Sequence, residues 1–496
     1  MSIRSFDTSP RRRRAPGWAA TVLAVTAAVF IGAPRPAAAS DGLRLAPSAR
    51  PFKAALSSRK LRSAEKMRAT SADGDRRGRR GHLGNPRRPQ LPPVILLPDG
   101  PLRDGDASRL SHRAERPATI SAQTQSIPRQ VVIVLDQNQS GDISDELARG
   151  YGLERKQSQL MPLLNGRCEL YELRGNRALA PVMAALRRDP RVRLVQANFR
   201  YRAQGAMDPP HGVLAQYALD KLALPQAHEL ALGRDVVVAV IDSAVDQTHP
   251  DLKGAVSLAF DAVGSPDRTI GFHGTAVAGI IRAQGAIAGA APQASILAVR
   301  AFRVRNAGEA AETTSWTLLR AIQWAVDNKA NILNLSFVGP RDDALHLALQ
   351  AATARRVIAV AAAGNNGPKA APAYPAAYPE VIAVTAVDAK DRRYAEANRG
   401  SYIAVAAPGV DILAPVEQGK HSYLSGTSFA TAYVSGVVAL LLERDRELDT
   451  NAVLALISAG AEDLGPAGRD EDFGAGRVNA FASLKAMERM SSDTRR

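Results

Sequence analysis

Val236-Val237-Val238-Ala239-Val240-Ile241 is an unbroken apolar run closed by Asp242. Five of its six side chains are β-branched, and a run of this kind without polar alternation reads as a strand covered on both faces. Comparable runs follow at Ile296–Val299, Ile332–Leu335, Val357–Val360, Val381–Val384 and Tyr402–Val405, with helical stretches between them. Thr314–Asn328 places Trp316, Leu319, Ile322 and Val326 on one helical face, and a second helix starts at Ser428 and continues through Tyr433, Val437, Leu440 and Leu441. This alternation predicts an α/β fold, a doubly wound and mostly parallel sheet with helices on both faces. In such sheets functional residues gather outside the carboxyl ends of the strands.

Upstream, Val131-Val132-Ile133-Val134-Leu135 reads as a buried strand, Ile143–Arg149 as a short helix capped by Ser140 or Asp142, and Cys168–Leu173 as a strand alternating at period two. Ala178–Arg188 is helical up to Asp189-Pro190, Val192–Val195 is a strand, and one more strand fits near Ser158–Leu164. The order β-α-β-β-α-β predicts a small α+β split-βαβ domain over 128–203, ahead of a large domain over 204–490. Cys168 falls on its third strand as a small structural thiol.

The 496-residue chain is 46% hydrophobic, which excludes a wholly disordered protein. Its net charge of +16 is concentrated: residues 1–127 carry 24 Lys+Arg against 9 Asp+Glu, while the remainder is nearly neutral. Residues 40–127 are rich in Arg, Pro, Ser, Ala and Gly and read as a disordered basic linker. A polybasic arm for anionic surfaces is the functional alternative, and the near absence of aromatic residues speaks against nucleic acid as a partner. Arg11–Arg14, an uncharged stretch from Ala15 to Pro34, and Ala37-Ala38-Ala39 form the pattern of a secretory signal peptide over 1–39. An uncleaved membrane anchor is the competing reading, because the stretch is just long enough to span a bilayer. Membrane contact is expected only through this segment, and the protein is expected in the periplasm or the medium. The single cysteine excludes an intramolecular disulfide and any cysteine-built zinc cluster.

Three residues carry the chemistry. Asp242 closes its strand, His273 lies in Gly271-Phe272-His273-Gly274-Thr275 before a helix, and Ser428 lies in Gly426-Thr427-Ser428-Phe429-Ala430 at the start of another. Taken singly they are a turn acid, a packed histidine and an N-cap serine. Taken together they are a nucleophile, a base and the carboxylate that orients the base. A serine at a helix start also sets a developing oxyanion beside unpaired N–H groups. Asn365, in Ala362-Ala363-Gly364-Asn365-Asn366-Gly367 directly after a strand, could be a second oxyanion donor beside Ser428.

The chain order Asp, His, Ser, together with Val240–Ser243, His249-Pro250-Asp251-Leu252, His273-Gly274-Thr275, Ala362–Asn365, Gly426–Ser428 and the late Gly474–Ala480, resembles the subtilisin family (subtilases). The resemblance implies a serine endopeptidase acting on protein or peptide substrates through an acyl-enzyme, with Asp242, His273 and Ser428 as triad. It implies Leu335-Ser336-Phe337 and Ala362-Ala363-Gly364 as substrate-binding walls. It also implies that 128–203 is a propeptide, an intramolecular inhibitor removed by self-cleavage within Tyr201–His211. Ala244, Ala276, Val338, Phe429 and Thr431-Ala432-Tyr433 depart from the usual pattern, though none removes a catalytic atom. No cofactor is needed for this chemistry. Asp251 matches a family calcium ligand, but most expected partners are missing and the loop Arg282–Ala291 is short, so no metal ligand is assigned. The absence of His-Glu-x-x-His excludes the commonest zinc-protease alternative. A silent peptide-binding relative is the second functional class, and a polybasic surface binder the third.

Overall fold

The computed structural model describes residues 125–137, 141–207, 216–265, 271–303 and 311–493. The expected signal peptide and nearly all of the expected linker lie outside the described residues. The first module runs β1 (Ser126–Asp136), α1 (Gly141–Tyr151), β2 (Leu153–Met161), β3 (Gly166–Leu173), α2 (Leu179–Leu186) and β4 (Val192–Ala203). Its four strands are antiparallel in the order β4-β1-β3-β2. The first strand starts at Ser126, two residues ahead of the expected boundary.

Alternate residues of β1 explain why its run showed no polar period. Val131, Ile133 and Leu135 pack with Leu147 of α1 and with Val182 and Leu186 of α2. Val132 and Val134 face the other way, with Cys168, into a cluster containing Trp316 and Leu319 of a later helix. A sheet apolar on both faces must be covered on both, here by its own helices on one side and the large domain on the other. Burial pushes the Cys168 thiol well above its usual range, which fits a packing role.

The large domain begins with β5 (Ala206–Met207), α3 (Tyr217–Lys221), α4 (Leu224–His228), β6 (Val237–Asp242) and β7 (Val256–Asp261). Next come α5 (Phe272–Arg282), β8 (Ser295–Arg300), β9 (Glu312–Thr314), α6 (Ser315–Asp327), β10 (Ile332–Leu335), β11 (Phe337–Val338) and α7 (Asp343–Thr353). The chain continues through β12 (Ile358–Ala362), β13 (Val381–Val387), β14 (Val405–Pro408), β15 (Ile412–Val416) and β16 (Lys420–Ser425). It closes with α8 (Thr427–Arg444), α9 (Thr450–Gly460) and α10 (Ala480–Asp493). Seven strands form one parallel sheet in the order β14-β13-β12-β10-β6-β8-β7. From β6 the chain passes to the β7 edge, returns through β8, and then crosses to β10 on the other side of β6. Strand order therefore reverses around β6, and the carboxyl end of β6 is a topological switch point where a crevice opens.

The expected strand at Tyr402–Val405 is instead Val405–Pro408, the four residues that pair in parallel with Val384–Val387 of β13. Ser428 is not the N-cap of its helix; Gly426 is, and Ser428 is the second helical residue. Sixteen consecutive residues of α8, Thr427–Leu442, are buried. It is a core helix enclosed on all sides, and among the described residues no helix is long and apolar enough to cross a membrane.

Candidate active site

Asp242 ends β6 at the switch point, held by its carbonyl accepting from Ala301 N–H at 2.7 Å and Phe302 N–H at 3.1 Å. Its Oδ1 accepts from Ser243 N–H at 2.6 Å. His273, the second residue of α5, sets Nδ1 2.9 Å from both carboxylate oxygens of Asp242. Both side chains are buried. Nε2 lies 2.9 Å from the carbonyl oxygen of Gln204. Both ring nitrogens thus face acceptors, which favours the doubly protonated imidazolium. Burial is the largest influence on His273 and opposes its charge. The Asp242 carboxylate, its hydrogen bond and the Gln204 carbonyl together outweigh it, and the pKa lies above the ordinary imidazole value.

Ser428 Oγ does not point to His273 but donates to Ser336 O at 3.1 Å. Gly426, two residues before it, has φ 153°, and a Cβ there would come within 2.9 Å of both Asn365 Nδ2 and Gly205 Cα. Only glycine admits the approach of these two groups. Asn365 Oδ1 accepts from Thr427 N–H at 3.1 Å and Thr427 Oγ–H at 2.8 Å. With the oxygen so engaged, Nδ2 is the end of the amide left to face the cleft.

The cleft is filled by the chain itself. The end of β4 lies between two strands of the large domain: Arg200, Tyr201 and Arg202 pair with Thr314, Thr313 and Glu312 of β9, and Arg202 and Ala203 with Val338 and Phe337 of β11. Gln204 N–H donates to Ser336 O at 3.2 Å. Its side-chain Oε1 accepts from Asn365 N–H at 3.0 Å. Beyond Gly205, Ala206 and Met207 pair with Ser425 and Leu424 of β16, directly before Ser428. Residues 200–207 therefore enter on one side of the serine and histidine and leave on the other.

Of the expected wall residues, Ser336 and Phe337 touch this segment. Leu335 ends β10 in the core. Ala362 ends β12, Ala363 N–H bonds Val384 O, and Gly364 N–H bonds Thr427 Oγ1 at 3.3 Å. Sequence reasoning passed over Gln204 and Gly205, over β9, and over Thr427 as the group that turns Asn365. It noted Phe429 only as a departure; the ring lies 5.6 Å from the His273 ring, and a Cβ on Gly205 would meet it at 2.8 Å.

The surroundings of Asp251 do not fit calcium. Its Oδ1 accepts from Ala286 N–H at 2.7 Å and its Oδ2 lies 2.6 Å from His421 Nε2. The neighbouring His249 is engaged at both nitrogens, accepting from Asp251 N–H and donating to Lys420 O. Calcium requires roughly six to eight oxygen ligands, whereas this carboxylate meets an amide and an imidazole.

Residues 233–476 match the Subtilase family. Thermitase of Thermoactinomyces vulgaris is 36% identical over 285 residues, which cover 56% of this chain and 98% of thermitase. The chain belongs to the subtilase family. This subtilase is also 34% identical over 319 residues to the thermophilic serine proteinase of Bacillus sp. strain AK1, covering 61% of the chain and 75% of that protein. Its fold matches the crystal structure of fervidolysin from Fervidobacterium pennivorans, a keratinolytic enzyme related to subtilisin, with a TM-score of 0.65 at 24% identity. That match covers 73% of the subtilase and 61% of the fervidolysin chain, so it spans less than two thirds of fervidolysin and speaks for fold alone. The subtilase is accordingly a serine endopeptidase.

Proposed function

We propose that this subtilase is a secreted endopeptidase, exported by residues 1–39, that is made with residues 128–203 as an inhibitory propeptide and cuts itself between Gln204 and Gly205. Asp242, His273 and Ser428 form the triad, and Asn365 Nδ2 and the Ser428 N–H the oxyanion hole. The observation that carries this reading is the path of residues 200–207. They are paired with the large domain on both sides of one peptide bond, and that bond's carbonyl oxygen meets His273.

In the reaction Ser428 Oγ attacks the Gln204 carbonyl carbon while its proton passes to His273 Nε2. The C–N bond to Gly205 breaks as His273 returns the proton to the Gly205 nitrogen, and water then releases Gln204 from the acyl-enzyme. Two changes must precede attack. The Gln204 carbonyl leaves His273 for Asn365, and Ser428 Oγ leaves Ser336 O for His273. The uncut chain is therefore held in a latent arrangement.

Latency has a pH signature. Contacts that raise the His273 pKa stabilise the folded, uncut chain at low pH, and this stabilisation is lost as pH rises through the raised value. The imidazole must also be neutral to take the serine proton. Self-processing is expected to accelerate with pH, with its inflection above the ordinary histidine value of roughly 6.5. Once the tail departs, the Gln204 contact that raises the His273 pKa is lost together with the burial the tail imposes, which lowers it, so the acid limb of peptide hydrolysis is set independently of that of processing. Rate-against-pH profiles of the two reactions check this.

Removing the side-chain donor by Asn365→Ala is expected to lower kcat by about 10²–10³ with little change in KM, since the amide matters only as negative charge develops. Steady-state hydrolysis of a peptide amide measures it. The maturation reading is tested by refolding residues 40–496 and determining the new N-terminus and the released C-terminus by mass. Ends at Gly205 and Gln204 support it; an uncut chain without peptidase activity overturns it.

A further inference from the structure

Tyr201 is the fourth residue before the Gln204–Gly205 bond, and resting on the cleavage reading above, its surroundings describe a subsite. The side chain is fully buried. Its ring meets Phe337 edge-on at 5.8 Å, and a Cβ on Gly339 would come within 2.2 Å of it, so the slot exists only because residue 339 is glycine. At the far end the hydroxyl donates to Asp342 Oδ2 at 2.9 Å. Asp342 is itself fully buried, at the N-cap of α7. Its Oδ1 accepts from Leu345 N–H at 2.9 Å and Gln196 Nε2 at 2.7 Å, and its Oδ2 also from Ser315 Oγ at 2.5 Å. Tyr378 OH fixes its backbone, accepting from Asp342 N–H and donating to Asp342 O.

Two of these donors, Gln196 and Tyr201, belong to the N-terminal module. When the module departs, Asp342 keeps Ser315 and Leu345 but has acceptor capacity open at the floor of an aromatic slot. We infer that Asp342 makes this subsite selective for tyrosine, four residues before the cut, over other aromatic and aliphatic residues. A phenylalanine would fill the slot and leave a buried carboxylate short of a donor, whereas tyrosine restores the donor that the propeptide itself supplied.

The test uses mature enzyme from its own processing and the fluorogenic peptides acetyl-Tyr-Arg-Ala-Gln-aminocoumarin, its Phe and Leu counterparts, and its O-methyltyrosine counterpart. We expect kcat/KM for Tyr to exceed that for Phe by about 10- to 100-fold. O-methyltyrosine, which cannot donate, should fall with Phe or below it. In Asp342→Asn, where a neutral amide replaces the carboxylate, the Tyr-to-Phe ratio should fall several-fold toward one. If that variant does not fold, the wild-type series decides alone. Equal rates for Tyr and Phe in wild type would overturn the inference and leave the protease reading standing. Failure to cut any of the peptides, with no self-processing, would overturn the protease reading and this inference with it.

Discussion

A Ser428→Ala chain is expected to stay at full length under conditions in which the wild type is proposed to separate at Gln204–Gly205. The substitution removes one oxygen, and that oxygen does two things. In the structure it donates to Ser336 O, and in the proposed reaction it is the nucleophile. Loss of the first costs little, because the Ser336 carbonyl still accepts from Gln204 N–H. Loss of the second removes the acyl-enzyme route altogether, and in subtilisin the equivalent loss lowers kcat by about 10⁶-fold. The variant should therefore fold with its module docked, since that docking rests on groups remote from Oγ. Trp316 N–H is met by Asn198 Oδ1 at 3.1 Å, Ala344 N–H by Gln196 Oε1 at 2.9 Å, and Phe199 N–H by Ser315 Oγ at 2.9 Å. Two helix N-termini of the large domain thus take caps from β4. Intact mass, circular dichroism and reaction with a fluorophosphonate would be read together. A folded Ser428→Ala protein that still cuts itself at the wild-type rate would remove Ser428 from the mechanism.

Asp242→Asn is the second large effect expected, a fall in the self-processing rate of about 10⁴-fold with the fold unchanged. The carboxylate accepts from the Nδ1–H of His273 and leaves Nε2 as the nitrogen that takes the serine proton in the proposed reaction. An asparagine amide can instead donate to Nδ1. That contact selects the tautomer with hydrogen on Nε2, which cannot serve as base. Asparagine also withdraws the charge that holds the His273 pKa up against burial, so little imidazolium would form at neutral pH. Processing of the variant, followed as first-order loss of the full-length band, should be slow and recover only partly with rising pH. A variant processing within tenfold of wild type would show that Asp242 does no more than cap the strand.

Much of this was legible in the sequence because each feature was local. The run Val236–Ile241 needed no partner to be read as a buried strand. Asp242, His273, Asn365 and Ser428 each stand next to a strand end or helix start, and the parallel sheet brings such ends to one edge. The peptide bond threaded through the cleft was not legible. Tyr201–His211 carries no motif, and which bond meets His273 depends on the register of β4 against β9 and β11. Register is a property of pairing between segments more than a hundred residues apart. Asp342 was invisible for a related reason. Read alone it is an N-cap acid, and only the arrival of Gln196, Tyr201 and Ser315 makes it a buried acceptor with four partners.

By itself the sequence determined the fold class and the residue types able to perform acyl transfer, since periodicity and side-chain chemistry travel with the chain. Tertiary structure alone decided three further things. Ser428 Oγ rests on Ser336 O instead of on His273, the Gln204 carbonyl takes the histidine, and Asp251 spends its oxygens on Ala286 and His421. Each is a competition among several donors for one acceptor, or several acceptors for one donor. Such competitions are settled by distance and burial after packing, not by the order of residues.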